Sequence, residues 1–259
     1  MTPVPLTWMK GPEEIAMAAA RHVVALLAQK PDAAIALPTG NTPVGLYRQL
    51  AELHAAGQFS CPQARFFNLD EFVGLSPEDP RSYGAFLWRH VFRPLSVAPG
   101  QVRLLRGTAP DPAAECRRFD RAIVQAGGLD LAILGLGSNG HIAFNEPGSD
   151  WNAATREVML TEATRRGQSP SFDRESDVPR RALTMGLRTL REARAILLLI
   201  SGSGKAEAVA AMLRSKPDKN WPITAILDHP KLTILADSAL DPKRAAGTPQ
   251  ALPGGPGAE

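Results

Sequence analysis

The chain has 259 residues, of which 44% are hydrophobic and 21% charged, so it can bury a large core and carries no bias toward disorder except near its end. A formal net charge of only +3, with Lys and Arg scattered rather than massed, argues against a nucleic-acid partner and suits a small anionic ligand equally well. Cys61 and Cys116 without C-x-x-C spacing exclude a disulfide framework or zinc knuckle, and neither a leader pattern in Met1 to Glu14 nor an apolar run near the roughly 18 residues that span a bilayer is present, so a reducing cytoplasm is the compartment expected.

After a Pro-rich loop, Glu13 to Gln29 places Ile15, Ala19, Val23, Leu26 and Leu27 at helical spacing. Ala33 to Leu37 is a short apolar run, broken by Pro38-Thr39-Gly40-Asn41-Thr42-Pro43 before an amphipathic stretch to Ala56. That is strand, loop, helix. The pattern recurs at Ala64 to Leu69 entering Asp70-Glu71, and at Leu129 to Leu136 entering Gly137-Ser138-Asn139-Gly140-His141. It recurs again at Ala195 to Ile200 entering Ser201-Gly202-Ser203-Gly204-Lys205 and a helix through Leu213. Thr233 to Ala236 reads as a last strand.

Strands that are apolar throughout and alternate with helices predict an α/β three-layer sandwich, with a mostly parallel, Rossmann-like central sheet and helices on both faces. One domain over 1–240 is expected, since an α/β unit commonly uses about 200 to 250 residues. The Pro-, Gly- and Ala-rich segment 241–259 reads as a flexible tail. In such sheets ligands bind beyond the carboxyl ends of the strands, and every polar cluster above falls at that edge.

Thr39, Gly40, Asn41 and Thr42 precede a helix amino terminus, where backbone N–H groups and hydroxyls suit a phosphate; the same composition also makes ordinary turns. Lys205 follows small residues and can reach a phosphate as a point charge, although the loop is no Walker A sequence; a solvated lysine is the plain alternative. Asp70 and Glu71 end an apolar run, where partial burial can raise a carboxylate's pKa and suit it to take a proton from carbon, or where Asp70 simply caps a turn. The glycine-rich turn from Gly135 carries His141 and, five residues later, Glu146, a carboxylate able to orient the ring and favour its protonated form.

Phe67-Asn68-Leu69-Asp70-Glu71-Phe72-Val73-Gly74-Leu75 and Gly140-His141-Ile142-Ala143-Phe144-Asn145-Glu146-Pro147 strongly resemble the two signature segments of the isomerising glucosamine-6-phosphate deaminases. Leu37 to Pro43, Ala182 to Gly186 and Gly202 to Ala206 resemble further family segments in the same order, so the resemblance covers roughly Ile15 to Ala236. It implies conversion of glucosamine 6-phosphate and water to fructose 6-phosphate and ammonia, an activity of amino-sugar catabolism that would be classed as hydrolase, deaminase and isomerase. No metal or organic cofactor is implied. Matched residue by residue, it makes Asp70 the base between C2 and C1, and His141 the ring-opening group assisted by Glu146 and Asn139. Thr39, Gly40, Asn41, Thr42, Gly137 and Lys205 would hold the sugar phosphate, which is the only partner implied; oligomeric state, homo-oligomer included, is left open.

Two positions depart from the resembled pattern. Asn139 stands where many members have aspartate, so His141 is expected to be less basic than in those relatives. Pro170 stands where the family carries an arginine that binds the phosphorylated sugar, and Arg165, Arg166 or Arg174 is expected to replace it. The rival readings are a 6-phosphogluconolactonase, disfavoured by Glu146 in its Phe-Asn-Glu-Pro context, and an isomerase of another phosphorylated sugar. A non-catalytic sugar-phosphate sensor would ordinarily carry a DNA-binding module, for which no room is expected before Glu13. The basic stretch from Arg156 to Arg194 reads as active-site lid and solvated surface.

Overall fold

The computed structural model describes residues 4–214 and 216–245. In chain order the strands are β1 (Leu6–Met9), β2 (Ala34–Leu37), β3 (Arg65–Asn68), β4 (Asp70–Phe72), β5 (Val102–Arg103), β6 (Leu131–Gly135), β7 (Arg156–Met159), β8 (Arg181–Thr184), β9 (Ile196–Ile200) and β10 (Leu232–Asp237). The helices are α1 (Pro12–Gln29), α2 (Val44–Ala55), α3 (Tyr83–Leu87), α4 (Pro112–Gln125), α5 (Glu162–Gln168), α6 (Leu187–Arg191), α7 (Ala206–Leu213) and α8 (Pro242–Ala245).

Seven strands form one sheet in the order β1-β10-β9-β6-β2-β3-β5, every neighbouring pair parallel. Alternate residues of each central strand enter two separate cores, as the pleat requires. Ala34 and Ala36 of β2, Ala132 and Leu134 of β6, and Ile196 and Leu198 of β9 pack with Phe119 and Ile123 of α4, Leu190 of α6 and Val209 of α7. Ile35, Ile133, Leu197 and Leu199 face the other way, onto Ile15, Ala19 and Val23 of α1 and Leu46 and Leu50 of α2. Burial on both faces explains why these strands read as unbroken apolar runs and not as alternating ones.

The chain steps outward from β2 to β3 and β5 on one side, and from β6 to β9 and β10 on the other. The direction of winding therefore reverses between β2 and β6, and the loops after those strands splay apart to leave a crevice at their carboxyl ends.

The expected sandwich is present, with additions. A three-stranded antiparallel sheet, β4-β8-β7, stands beside the main one, over its own core of Phe72, Phe144, Phe172, Val178 and Ala182. The supposed Pro-rich loop before α1 contains β1, and β5 closes the opposite edge. Strands of two to four residues are too short to show a periodicity. Asp241 to Ala245 is not loose tail throughout, because Asp237 caps the turn Ser238–Leu240 and α8 follows; the remainder of the expected tail, 246–259, lies outside the described residues.

Candidate active site

Four strand ends meet at the crevice. From β2 comes Pro38 to Pro43, from β3 Leu69 and Asp70, from β6 Gly135 to Gly137 with His141, Ala143 and Phe144, and from β9 Lys205; together with Tyr83 and Gln168 they line one cleft. Thr39, Gly40, Asn41, Thr42, Asp70, Gly137, His141 and Lys205, all singled out in the sequence, thus line a single cleft. Asn139 and Glu146 stand behind His141 and buttress it.

Asp70 is placed by the seam between the two sheets. The main-sheet strand β3 ends at Asn68, whose side chain donates to the Asp70 carbonyl at 2.7 Å and accepts from Leu105 N–H at 2.9 Å. Asp70 then pairs with Thr184 in the small sheet. Its side chain is buried, and its carboxylate has no hydrogen-bond partner among the described residues. Burial first, and the neighbouring Glu71 charge second, push its pKa well above the ordinary carboxylate value. A buried, unpaired carboxylate is costly for the fold and correspondingly basic.

His141 is held from behind by a relay. Its Nδ1 lies 2.7 Å from Asn139 Oδ1, and Asn139 Nδ2 donates to Glu146 Oε2 at 2.7 Å. Because the Asn139 amide gives its N–H groups to Glu146, its oxygen is left to accept, so Nδ1 carries the proton and Nε2 keeps a free lone pair. Glu146 is further bound by the Thr164 and Thr161 hydroxyls. The direct gap from Nδ1 to Glu146 Oε2 is 3.8 Å. Burial lowers the His141 pKa, Glu146 pulls it up by less than that, and Lys205 adds a still smaller lowering. Glu146 does pull toward the charged ring, but desolvation outweighs it, and a neutral Asn139 separates the two groups.

The turn can form because of its glycines. A Cβ on Gly137 would lie 2.4 Å from the His141 ring, and Gly140, at φ 80°, sits where a Cβ would come within 2.7 Å of Trp221. Ala143 accepts the left-handed region at φ 51° without being glycine, strain of a kind that collects at functional sites. Downstream, fully buried Asn145 fastens the loop to the small sheet, donating to Ile142 and Met185 carbonyls at 2.9 and 2.8 Å and accepting from Arg156 at 2.8 Å. Arg156 is thus part of the scaffold and not solvated surface.

Gly40 at φ 90° turns the β2 loop toward α2, and Ser201 donates to the Thr42 hydroxyl at 3.3 Å, joining this loop to that of Lys205. Burial lowers the Lys205 pKa. A second cavity continues outward from Thr42, Gln168 and Lys205, and Arg48 and Pro170 both line it.

Arg165 does not join the cleft. Its guanidinium donates to the Val178 and Glu175 carbonyls at 3.2 and 3.1 Å, and Arg174 pairs with Asp177 at 3.3 Å. Of the three arginines expected to replace one at position 170, Arg165 and Arg174 are committed to their own loop, and Arg166 is exposed. Arg48, one turn into α2, is a guanidinium the sequence reading passed over; it is exposed, pairs loosely with Glu52 at 3.9 Å and lines this outer cavity. Tyr83 and Gln168 were also missed, because nothing local marks them apart from Ser82, whose hydroxyl caps α3. Among the described residues no group of three or more His, Cys, Asp or Glu side chains is arranged to hold a metal ion, and no helix is long and apolar enough to cross a membrane.

Residues 11–234 match the model of a family described as glucosamine-6-phosphate isomerases/6-phosphogluconolactonase. The chain belongs to that family. It is 40% identical over 225 residues to a glucosamine-6-phosphate deaminase of Geobacillus sp. (strain WCH70), covering 87% of this chain and 90% of the relative. It is also 40% identical to glucosamine-6-phosphate deaminase 1 of Bacillus subtilis (strain 168), covering 87% and 93%. A solved monomeric glucosamine-6-phosphate deaminase superposes with a TM-score of 0.89 at 38% identity, over 91% of this chain and 98% of that one. The 6-phosphogluconolactonase of Thermotoga maritima shares the fold at a TM-score of 0.69 but only 23% identity. This corrects the expected classification as a hydrolase. The near relatives are named deaminases within a family of isomerases, and the lactonases are distant in sequence.

Proposed function

We propose that this family member is an isomerising deaminase that converts glucosamine 6-phosphate to fructose 6-phosphate and ammonia. The observation that carries the reading is a buried carboxylate, Asp70, on the same cleft as a histidine, His141, neither the carboxylate nor Nε2 having a hydrogen-bond partner among the described residues. The first can take a proton from carbon, and the second can move one between oxygens. Similarity to deaminases across nearly the whole chain supports the same assignment.

The phosphate lies against the Thr39–Thr42 loop, the start of α2 and Lys205, with Arg48 toward solvent. His141 Nε2 accepts the proton of the anomeric hydroxyl and returns it to the ring oxygen as the C1–O5 bond breaks, leaving an open-chain aldehyde. The Asn139–Glu146 relay keeps Nδ1 protonated while this happens and steadies the transient imidazolium. Asp70 then removes the C2 proton and delivers it to C1, while a proton of the amine passes to O1; together the two transfers turn the aldehyde into an alcohol and the amine-bearing carbon into an imine. Water adds to that imine, its oxygen becoming the C2 carbonyl, and the nitrogen departs as ammonia.

The test is simultaneous measurement of ammonia and fructose 6-phosphate from glucosamine 6-phosphate, with Asp70→Asn as control and a lactonase assay in parallel. Equal amounts of both products from the wild type, and neither from the control, are expected. Lactone hydrolysis without ammonia would sink the assignment.

A further inference from the structure

Tyr83 is the cleft residue without a role in the scheme above. It lies on α3, outside both signature segments, yet its side chain reaches all three catalytic loops. Its phenol lies beside the Thr39 side chain in the cleft. Its ring stacks on Phe144, three residues after His141, at 5.8 Å and 16° between planes, and packs on Phe72, two residues after Asp70, at 4.8 Å. Two aromatic neighbours and one polar one leave the phenol little freedom.

Its backbone is equally fixed. Glu71, buried and next to Asp70, accepts from the amides of Tyr83 at 2.9 Å and Gly84 at 2.7 Å, and from its own neighbour Phe72 at 2.9 Å. The residue beside the proposed base therefore fixes the position of Tyr83 relative to it. Burial holds the phenol's pKa well above its ordinary value, so it is an O–H donor throughout the working range.

The proposed chemistry leaves one need unmet. When Asp70 takes the C2 proton of the open-chain aldehyde, the electron pair of the broken C–H bond flows into the carbonyl and negative charge develops on O1. A donor fixed in advance beside that oxygen stabilises the transition state and not the ground state. We propose that Tyr83 donates its hydroxyl to O1 during this step, with Glu71 acting as a positioning residue through the Tyr83 and Gly84 amides. The inference rests on the deaminase reading and adds a catalytic group to it. No atom leaves Tyr83; the hydrogen bond shortens as O1 gains charge and relaxes once O1 receives the proton released by the amine.

The experiment uses the full chain with Tyr83→Phe, which keeps the ring packing and removes one oxygen. Loss of an oxyanion donor costs about 10²-fold to 10³-fold in kcat, and the expected result is a fall of at least about 10-fold with KM changed by less than about 3-fold. With substrate deuterated at C2, the isotope effect on kcat should rise, because proton removal becomes slower relative to the other steps; a role confined to packing would not single out that bond. Inhibition by inorganic phosphate should stay the same, showing the rest of the cleft intact. Should the phenylalanine variant melt early, Glu71→Gln, which leaves the phenol in place but loosens its anchor, must lower kcat and raise the isotope effect in the same sense. An active wild type with an undiminished Tyr83→Phe variant would overturn the role of Tyr83 alone. A wild type forming neither ammonia nor fructose 6-phosphate would instead overturn the deaminase reading.

Discussion

Replacing Asn139 by aspartate perturbs His141 in a way the geometry allows to be worked out. The new carboxylate would sit 2.7 Å from Nδ1 and 2.7 Å from Glu146 Oε2. Two carboxylates so close share one proton. Glu146, bound on its far side by Thr164 and Thr161, takes that proton to donate across the gap, so the net charge behind the ring is unchanged but moves closer. In place of a charge 3.8 Å from Nδ1, His141 meets one at 2.7 Å. At an effective dielectric constant of about 20 this difference is worth about 1.8 kcal/mol, or about 1.3 pKa units upward.

The assay is an NMR titration of the His141 ring nitrogens in both proteins, together with the pH dependence of kcat/KM. If neutral His141 must accept the O1 proton, the acid limb of kcat/KM should move to higher pH by the same amount as the ring titration. The stability profile should change too. In the wild type the folded-state pKa is depressed, so His141 costs stability as pH falls through the unfolded value near ~6.5, and none above it. In Asn139→Asp that acid-side loss should shrink or reverse. A ring midpoint that stays put, or falls, would refute the relay of Glu146 through residue 139.

Asp70→Asn should lower kcat by about 10²-fold to 10⁴-fold, the usual contribution of a general base, yet melt at the same or a higher temperature near neutral pH by calorimetry. The Asp70 pKa is raised in the fold, so its contribution to stability is present at low pH and lost as pH rises past the unfolded value; the amide removes that cost. Gly137→Ala should destabilise by about 1 to 3 kcal/mol in urea unfolding, because the added methyl overlaps the His141 ring, and activity should fall further than stability does. Arg48→Ala should raise KM for glucosamine 6-phosphate several-fold at nearly constant kcat, whereas Arg165→Ala should leave KM unchanged; the reverse pattern would show that the 165–178 loop rearranges around substrate.

The residues of the candidate site were legible in the sequence to the extent that each follows a strand. Apolar runs bounded by glycine and polar turns are determined locally, by chain conformation and by burial on both sheet faces. The turns at 38–43, 137–141 and 201–205 could therefore be placed at one sheet edge before any coordinates. The signature around Asp70 and His141 then gave those turns a chemistry. Three things belonged to the tertiary structure alone. The small sheet that seats Asp70 pairs it with Thr184, 114 residues further along the chain (184 − 70), and this pairing leaves no periodic mark on three or four residues. The sign of the His141 shift depends on desolvation outweighing Glu146, a balance of distances and burial that residue order does not encode. Which side chains reach the site was decided by competition for carbonyls and carboxylates and by helix placement: Arg165 and Arg174 are claimed by their own loop, while Arg48, only loosely paired with Glu52, lines the outer cavity and Tyr83 the cleft.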